Sequence, residues 1–274
     1  MASAGRRAAW AGAVGGGVLA LIILAAAAAP LILPGDPLDM VGPPLQPPLR
    51  DWAFPLGTDQ LGRSVAAGLA YGARLSVTIG AVAAFFSLVV GIGIGTLAGF
   101  LGGLVDDFLM RIAEAVQTVP VFLLALAIVS VLGPTPQSVV IAIAVASWPA
   151  PARLVRAEVL SLKTRDFVAG CRAIGMSPLR IAFQQILPNA LAPVIALSGI
   201  LVASAILVES ALSFLGLGDP NLASWGSMVA SGRAAMRTDP YLVALPGLAI
   251  AATVLAVSLI SDWLTDRLRL TVGA

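Results

Sequence analysis

The stretch DFVAGCRAIGMSPLRIAFQQILPN, residues 166–189, decides the fold class because it is charged and rich in turn residues within a largely apolar chain. Asp166 is predicted to cap a short helix, and Gly175 supplies the left-handed residue that ends it. Pro178 then opens a second helix at its first position, where no N–H is missed, and Pro188 is predicted to end that helix. Both helices are too short and too polar to span a bilayer. The sequence therefore predicts a helical hairpin at the cytoplasmic membrane surface.

The composition outside this hairpin is typical of a polytopic membrane protein. Hydrophobic residues make up 59% of the 274 residues and charged residues 11%, whereas a soluble domain carries roughly 25% charged residues. The chain has one cysteine, Cys171, and no histidine. An intrachain disulfide is therefore excluded, and metal sites and catalytic triads lack their commonest ligand and base.

Six apolar stretches are long enough to span a bilayer, which takes about 20 residues. The first follows two arginines as a signal peptide would, but its length favours an anchor that is retained. Pro149 and Pro151 are expected to kink the fourth stretch and to let it continue toward Leu160. The predicted spans are residues 8–33, 75–101, 108–132, 137–152, 190–217 and 241–261.

The distribution of basic residues predicts that both termini are cytoplasmic. Short cytoplasmic loops carry an excess of lysine and arginine, and this orientation places most of the 16 basic residues inside. The cytoplasmic set is Arg6, Arg7, Arg111, Arg153, Arg156, Lys163, Arg165, Arg172, Arg180, Arg267 and Arg269.

The chain has no nucleotide-binding loop of its own. Such a loop needs a Gly-Lys-Ser/Thr sequence, so that backbone amides hold the phosphates and the lysine neutralises them. The single lysine, Lys163, follows a leucine. If this protein moves a solute with the energy of ATP, a partner subunit must bind ATP and Mg²⁺, and this chain is expected to hold no cofactor.

The hairpin resembles the EAA motif of bacterial ABC importer permeases. Ala169-Gly170-Cys171 stands in the Glu-Ala-Ala position, Gly175 is the motif glycine, and Leu187-Pro188 closes it. The acid of the motif is Ala169 here, with Asp166 as a partial substitute, and an isoleucine of the motif is Gln185. The open alternative is an amphipathic interfacial helix without a partner.

Three further passages resemble the C-type subunit of the dipeptide/oligopeptide/nickel permease family. They are FPLGTDQLGRSVAAGLAYGARLSV (54–77), SALSFLGLGDPNLASWGSM (210–228) and YLVALPGLAIAATVLAVSLISDWLTDRL (241–268). The resemblance implies an all-α, six-helix, type I ABC importer permease of the bacterial inner membrane. It also implies a B-type sister permease, two ABC ATPase subunits and an extracytoplasmic binding protein as partners, and no nucleic acid. The solute stays open between peptides, nickel chelates and haem-like compounds.

The family organisation implies three segments. These are an N-terminal transmembrane helix at 1–33, an extracytoplasmic loop with a short amphipathic helix at 34–74, and a permease core at 75–268 whose coupling hairpin occupies 157–189. In the hairpin, Phe167, Val168 and Ile174 are expected to supply most of the energy for docking on an ATPase. The full predicted coupling set is Thr164, Arg165, Asp166, Phe167, Val168, Ala169, Arg172, Ile174, Gly175, Pro178, Leu187 and Pro188.

Two smaller sets of residues are further candidates. Glu209 is an acid within an apolar run, where charge is costly, so it either lines the translocation path with Ser213 or accepts structural hydrogen bonds from serines. Binding-protein docking is assigned to Arg233, Arg237 and Trp225, although the arginines are also compatible with a solvated face.

The remaining patterns receive structural interpretations. Trp148, Trp225 and Trp263 are predicted to be interfacial anchors, residues 91–99 (GIGIGTLAG) a site of close helix packing, and Asp106-Asp107 a solvated turn. The rival functions are an ATP-independent secondary transporter and an intramembrane enzyme. The missing histidine and the absence of matching broken helices in the two halves weigh against both.

Overall fold

The chain is all-α, as the resemblance to ABC importer permeases implied. The computed structural model describes the backbone of residues 2–272 and the side chains of residues 10–267. The side chains of Arg6, Arg7 and Arg269, which contribute to the predicted orientation, lie outside the described residues. The helices are α1 (Ala2–Ile32), α2 (Val65–Leu101), α3 (Gly103–Gln117), α4 (Val121–Leu132), α5 (Pro136–Ser147), α6 (Pro149–Leu162), α7 (Asp166–Ala173), α8 (Pro178–Arg180), α9 (Leu187–Phe214), α10 (Trp225–Gly232) and α11 (Tyr241–Val272).

Five helical stretches within the described residues are long and apolar enough to cross a membrane, and a bent pair makes a sixth possible. The bent pair is α3 and α4, which meet at 85°, whereas the sequence predicted one straight span over residues 108–132. The break lies at Pro120, because proline has no N–H to donate and biases Val119 away from helical geometry. The third span is therefore two helices joined by a corner.

The fifth span also differs from the prediction, because Pro188 does not end a helix. The helix is continuous over Pro178–Phe214, and a π-helical turn, Ile181–Ile186, precedes Pro188. The Asn189 side chain donates to the Gln185 carbonyl oxygen at 2.7 Å. Wider helical turns and side-chain donors of this kind let a helix continue through a residue that lacks an N–H.

The fourth span follows the prediction. α5 and α6 form one stretch, Pro136–Leu162, interrupted only at Trp148. Pro149 stands at the first position of α6, where proline costs little.

Close backbone packing joins α2 to α6, as the glycine-rich segment predicted. A Cβ atom placed on Gly95 would lie 2.3 Å from the Ala152 carbonyl oxygen, and one on Gly99 would lie 2.9 Å from the Arg156 carbonyl oxygen. Gly91 faces the same helix, 2.6 Å from Pro151 Cγ by the same measure. We call Gly91, Gly95 and Gly99 the glycine seam.

The first and last helices lie side by side. A Cβ atom on Gly12 would meet the Trp263 ring at 2.4 Å, and one on Gly15 would meet the Ala256 carbonyl oxygen at 2.6 Å. Because later residues of α1 meet earlier residues of α11, the two helices are antiparallel. Both ends of the described chain therefore lie at the same side of the bundle.

The segment between α1 and α2, which was predicted to be extracytoplasmic, contains turns up to Ser64 and no separate helix. Asp59 accepts hydrogen bonds from the Leu61 and Arg63 amides, both at 2.8 Å, which fixes a tight turn. Ser64 then caps α2, so the helical part of the predicted segment, residues 65–74, is the beginning of a membrane span. The Tyr241 hydroxyl lies 2.8 Å from the Thr58 carbonyl oxygen, to which it donates, and so fastens this segment to α11.

Candidate functional site

The turn between α7 and α8 has the geometry that the sequence predicted. Gly175 adopts a φ of 77°, a left-handed conformation that costs other residues about 1–2 kcal/mol. The Met176 amide donates to the Cys171 carbonyl at 3.1 Å, and the Gly175 amide donates to the Arg172 carbonyl at 3.0 Å. These two bonds form a Schellman motif, which satisfies the last carbonyls of α7 and fixes its angle to α8.

The start of α7 corrects one detail of the prediction. Arg165, in extended conformation, is the capping residue, and its side chain makes no capping hydrogen bond. Asp166 is the first helical residue, where its negative charge still interacts favourably with the helix dipole.

The hairpin is packed firmly against the bundle. Val168 is 1% exposed and shares an apolar cluster with Phe100, Val155, Val159 and Ile181. The cluster joins the hairpin to α2 and α6. Val168 therefore anchors the hairpin to its own chain and is not available for docking, contrary to the prediction.

Three other apolar side chains of the hairpin are exposed. Phe167 is 41% exposed, Ile174 77% and Leu179 57%. We call these three side chains the hairpin patch. Leu179 was missed in the sequence, although its place directly after the helix-opening Pro178 was a usable signal.

Charged and small residues surround the hairpin patch. The predicted set is exposed except for Val168, which is buried, and Leu187, which is half-buried. The exposed members besides the patch are Thr164, Arg165, Asp166, Ala169, Arg172, Gly175, Pro178 and Pro188, and Arg180 is exposed beside them. An apolar centre ringed by cations is suited to a partner with a hydrophobic groove and an acidic rim.

A bidentate ion pair lies beside the hairpin and was not predicted. The Arg156 Nε and Nη2 atoms donate to the two carboxylate oxygens of Asp106 at 2.5 and 2.7 Å. Asp106 and Asp107 lie in α3 and not in the predicted turn. Asp106 is 8% exposed, so the predicted solvation holds only for its exposed neighbour Asp107. Lys163 completes this region by donating to the Phe100 carbonyl oxygen at 2.5 Å.

Glu209 is buried inside the chain and bound by serines. It is 1% exposed, and its carboxylate accepts from Ser213 Oγ at 2.8 Å and from Ser210 Oγ at 3.3 Å. Of the two interpretations left open, the hydrogen bonds are those of the structural one, although Ser213 also borders an outer cavity of about 570 Å³.

The outer candidates have different surroundings. Arg233 and Arg237 are exposed, and the Arg233 guanidinium lies 5.9 Å from the Phe214 ring centre. Trp225 is 1% exposed and donates its indole N–H to the Leu69 carbonyl at 3.0 Å, so it cannot contact a docked protein. Trp225 and Trp148, which is 8% exposed, are core residues and not interfacial anchors.

Comparison with known proteins identifies the family. The description "Binding-protein-dependent transport system inner membrane component" matches residues 91–272. The chain belongs to this family. It is therefore a multi-pass inner-membrane permease of an ABC importer and not an enzyme, as predicted, and ATPase and substrate-binding subunits are its partners.

Named relatives cover most of the chain. The di/tripeptide transport system permease protein DppC of Pseudomonas aeruginosa is 42% identical over 264 residues, which cover 94% of this chain and 87% of the relative. The oligopeptide transport system permease protein OppC of Bacillus subtilis is 36% identical, covering 81% of this chain and 73% of the relative. The predicted resemblance is confirmed.

A solved transporter has the same fold. An inward-facing structure of the MetNI methionine ABC transporter superimposes with a TM-score of 0.60 at 16% identity, covering 73% of this chain and 96% of the solved chain. The type I importer permease fold is thereby confirmed.

Proposed function

We propose that this chain is the C-type permease subunit of an ATP-driven peptide importer and forms half of the translocation path with a B-type sister permease. The relatives carry the peptide part of the proposal, because they are named as di/tripeptide and oligopeptide permeases. The hairpin patch carries the coupling part. Its Ile174 side chain is 77% exposed on a turn that the Schellman motif holds rigid.

In this proposal the hairpin patch docks in a groove of one of two cytoplasmic ATPase subunits, which bind ATP and Mg²⁺. Phe167, Ile174 and Leu179 supply the apolar contact, and the surrounding arginines orient it. The buried side of the hairpin packs on α2 and α6. Closure of the ATPases would therefore move the ends of both spans together with the hairpin.

The outer surface is proposed to receive the binding protein. Arg233 and Arg237 are exposed there and can pair with acidic side chains of a docked protein. Trp225 supports this surface from beneath, since its indole ties α10 to α2. Ser213 borders the outer cavity, so we assign it to the edge of the translocation path. We assign to Glu209 the role of positioning Ser213 through their hydrogen bond. This topology puts both termini in the cytoplasm.

The experiment is co-purification and uptake. The complex, purified from native membranes and reconstituted in vesicles, is expected to contain an ATP-hydrolysing subunit and to import radiolabelled alanyl-alanine only with ATP and the binding protein. Ile174→Asp places a charge in the hairpin patch, so it is expected to weaken ATPase retention by at least about tenfold.

Trp52→Asp is the matched control. Trp52 is 87% exposed but lies in the outer segment, so the same substitution there is expected to leave ATPase retention unchanged. Uptake of alanyl-alanine by the chain alone without ATP would overturn the proposal in favour of a secondary transporter. Full ATPase retention by the Ile174 variant would show that the hairpin patch is not the docking surface.

A further inference from the structure

Helix α3 is held to the rest of the chain by an ion pair and by a small apolar cluster, which includes Met110 and Val116 of α3 and Ile94 of α2. Asp106 and Ala113 are its buried residues, and Ala113 packs against Trp148 and Ala152 at the α5–α6 junction. The connection to α2 runs through Gly102 and Gly103, whose φ angles are 68° and 55°. Two successive glycines in this region permit many backbone geometries, so the direction of α3 is set by its packing contacts and not by the connection itself.

Side chains of α6 form hydrogen bonds to α3 near both ends of α3. Arg156 binds Asp106 in the first turn of α3 through two hydrogen bonds. One turn earlier in α6, the Arg153 Nη1 atom donates to Gln117 Oε1, on the last residue of α3, at 2.8 Å. The Asp106 contact is the stronger of the two, because it is bidentate, fully charged and partly removed from water.

The other end of α6 is fixed to the hairpin. Val155 and Val159 of α6 share the cluster that buries Val168 of α7. Lys163, directly after α6, is bound to the Phe100 carbonyl at the end of α2. A displacement of the hairpin must therefore displace α6. Because Arg156 of α6 is bound to Asp106 of α3, α3 must move with α6.

We propose that Arg156 and Asp106 are positioning residues that transmit movement of the hairpin to α3 and, around the 85° corner, to α4. The inference rests on the proposed function, since it assumes that the hairpin is moved by an ATPase. It adds a specific route, through which the ATP cycle reaches the bent third span.

The test uses the reconstituted complex and measures alanyl-alanine imported per ATP hydrolysed. Arg156→Gln removes the charge and the bidentate contact, so this ratio is expected to fall about fivefold or more, the lower end of typical coupling between sites. Arg156→Lys keeps the charge and restores one hydrogen bond, so an intermediate ratio is expected. Asp107→Asn is the matched control, because Asp107 is the exposed neighbour of Asp106, and the wild-type ratio is expected.

Hydrogen exchange of α3 amides separates transmission from stability. In the wild type, trapping the ATPases with ATP and vanadate is expected to change exchange in residues 103–117. In the Arg156→Gln complex this response is expected to be lost while the hairpin still responds. If Arg156→Gln does not assemble, the Arg156→Lys complex, which retains the charge, decides the question.

The outcomes are distinct from those of the proposed function. Failure of the wild-type complex to import peptide with ATP would contradict the proposed function itself. Wild-type import together with an unchanged ratio and an unchanged α3 response in the Arg156 variants would overturn the inference alone.

Discussion

Two glycines of the hairpin differ in backbone conformation, and this difference determines whether substitution by alanine destabilises or stabilises the hairpin. Gly175 has a φ of 77°, where an L side chain is strained. Gly170 lies within α7 with open space around its Cβ position, and glycine inside a helix is about 1 kcal/mol less favourable than alanine. The same substitution is therefore expected to have opposite signs at the two sites.

Gly175→Ala is expected to destabilise the hairpin by about 1–2 kcal/mol, and Gly170→Ala is expected to leave it unchanged or to stabilise it by up to about 1 kcal/mol. Hydrogen exchange of the residue 166–180 amides in the purified complex measures both. Equal effects of the two substitutions would contradict the left-handed turn.

The sequence did not predict correctly which individual residues are buried. Phe167 and Val168 are adjacent apolar residues, and the second is buried because it packs in a cluster with residues of α2 and α6. Buried Asp106 is bound by an arginine that is 50 positions away in the sequence. The indole N–H of buried Trp225 donates to a carbonyl that is 156 positions away. No local pattern contains these partners, so the sequence could not assign them.

At the scale of helices, the glycine seam determines how closely α2 and α6 approach. Gly95 leaves no space for a Cβ atom, which would lie 2.3 Å from a backbone oxygen of α6. Gly93, two residues earlier on the same helix, has nothing within 4 Å of its Cβ position. The two positions form a matched pair for testing the seam.

Gly95→Val is expected to destabilise the chain by at least about 1–3 kcal/mol, because backbone atoms cannot yield to the added carbons as a flexible side chain would. Gly93→Val faces open space and is expected to have little effect. Thermal unfolding of the detergent-purified complex measures the difference. Equal melting temperatures for the two variants would mean that α2 and α6 are not in backbone contact.

The helices themselves were largely predictable from the sequence. A long apolar run and a hairpin whose helices end at a glycine and begin at a proline are both local properties of the chain. Two of the errors concern proline. Pro120 makes a corner of 85° inside a predicted span, whereas Pro188 lies within a continuous helix because a π-helical turn precedes it. Both prolines stand in largely apolar sequence. The local backbone hydrogen bonds determine whether the helix breaks at the proline or continues through it.

At the scale of the whole molecule, the positive-inside rule gives a topology that labelling can test. In a Cys171→Ala background, Asp107→Cys and Trp52→Cys place single exposed thiols on opposite faces of the predicted topology. A membrane-impermeant maleimide is expected to modify Asp107→Cys only in inside-out vesicles and Trp52→Cys only in right-side-out vesicles. The reverse pattern would place the hairpin outside and the termini with it.

The antiparallel pairing of α1 with α11 brings the two ends of the described backbone, residues 2 and 272, to the same side of the bundle. Chain ends that lie close together tolerate being covalently joined. A circular permutant that links them with a short linker and opens at the exposed Trp52 would make α1 the last span to leave the ribosome instead of the first, while the order of the other spans stays the same. Retained peptide uptake by this permutant would show that the final packing does not depend on α1 entering the membrane first.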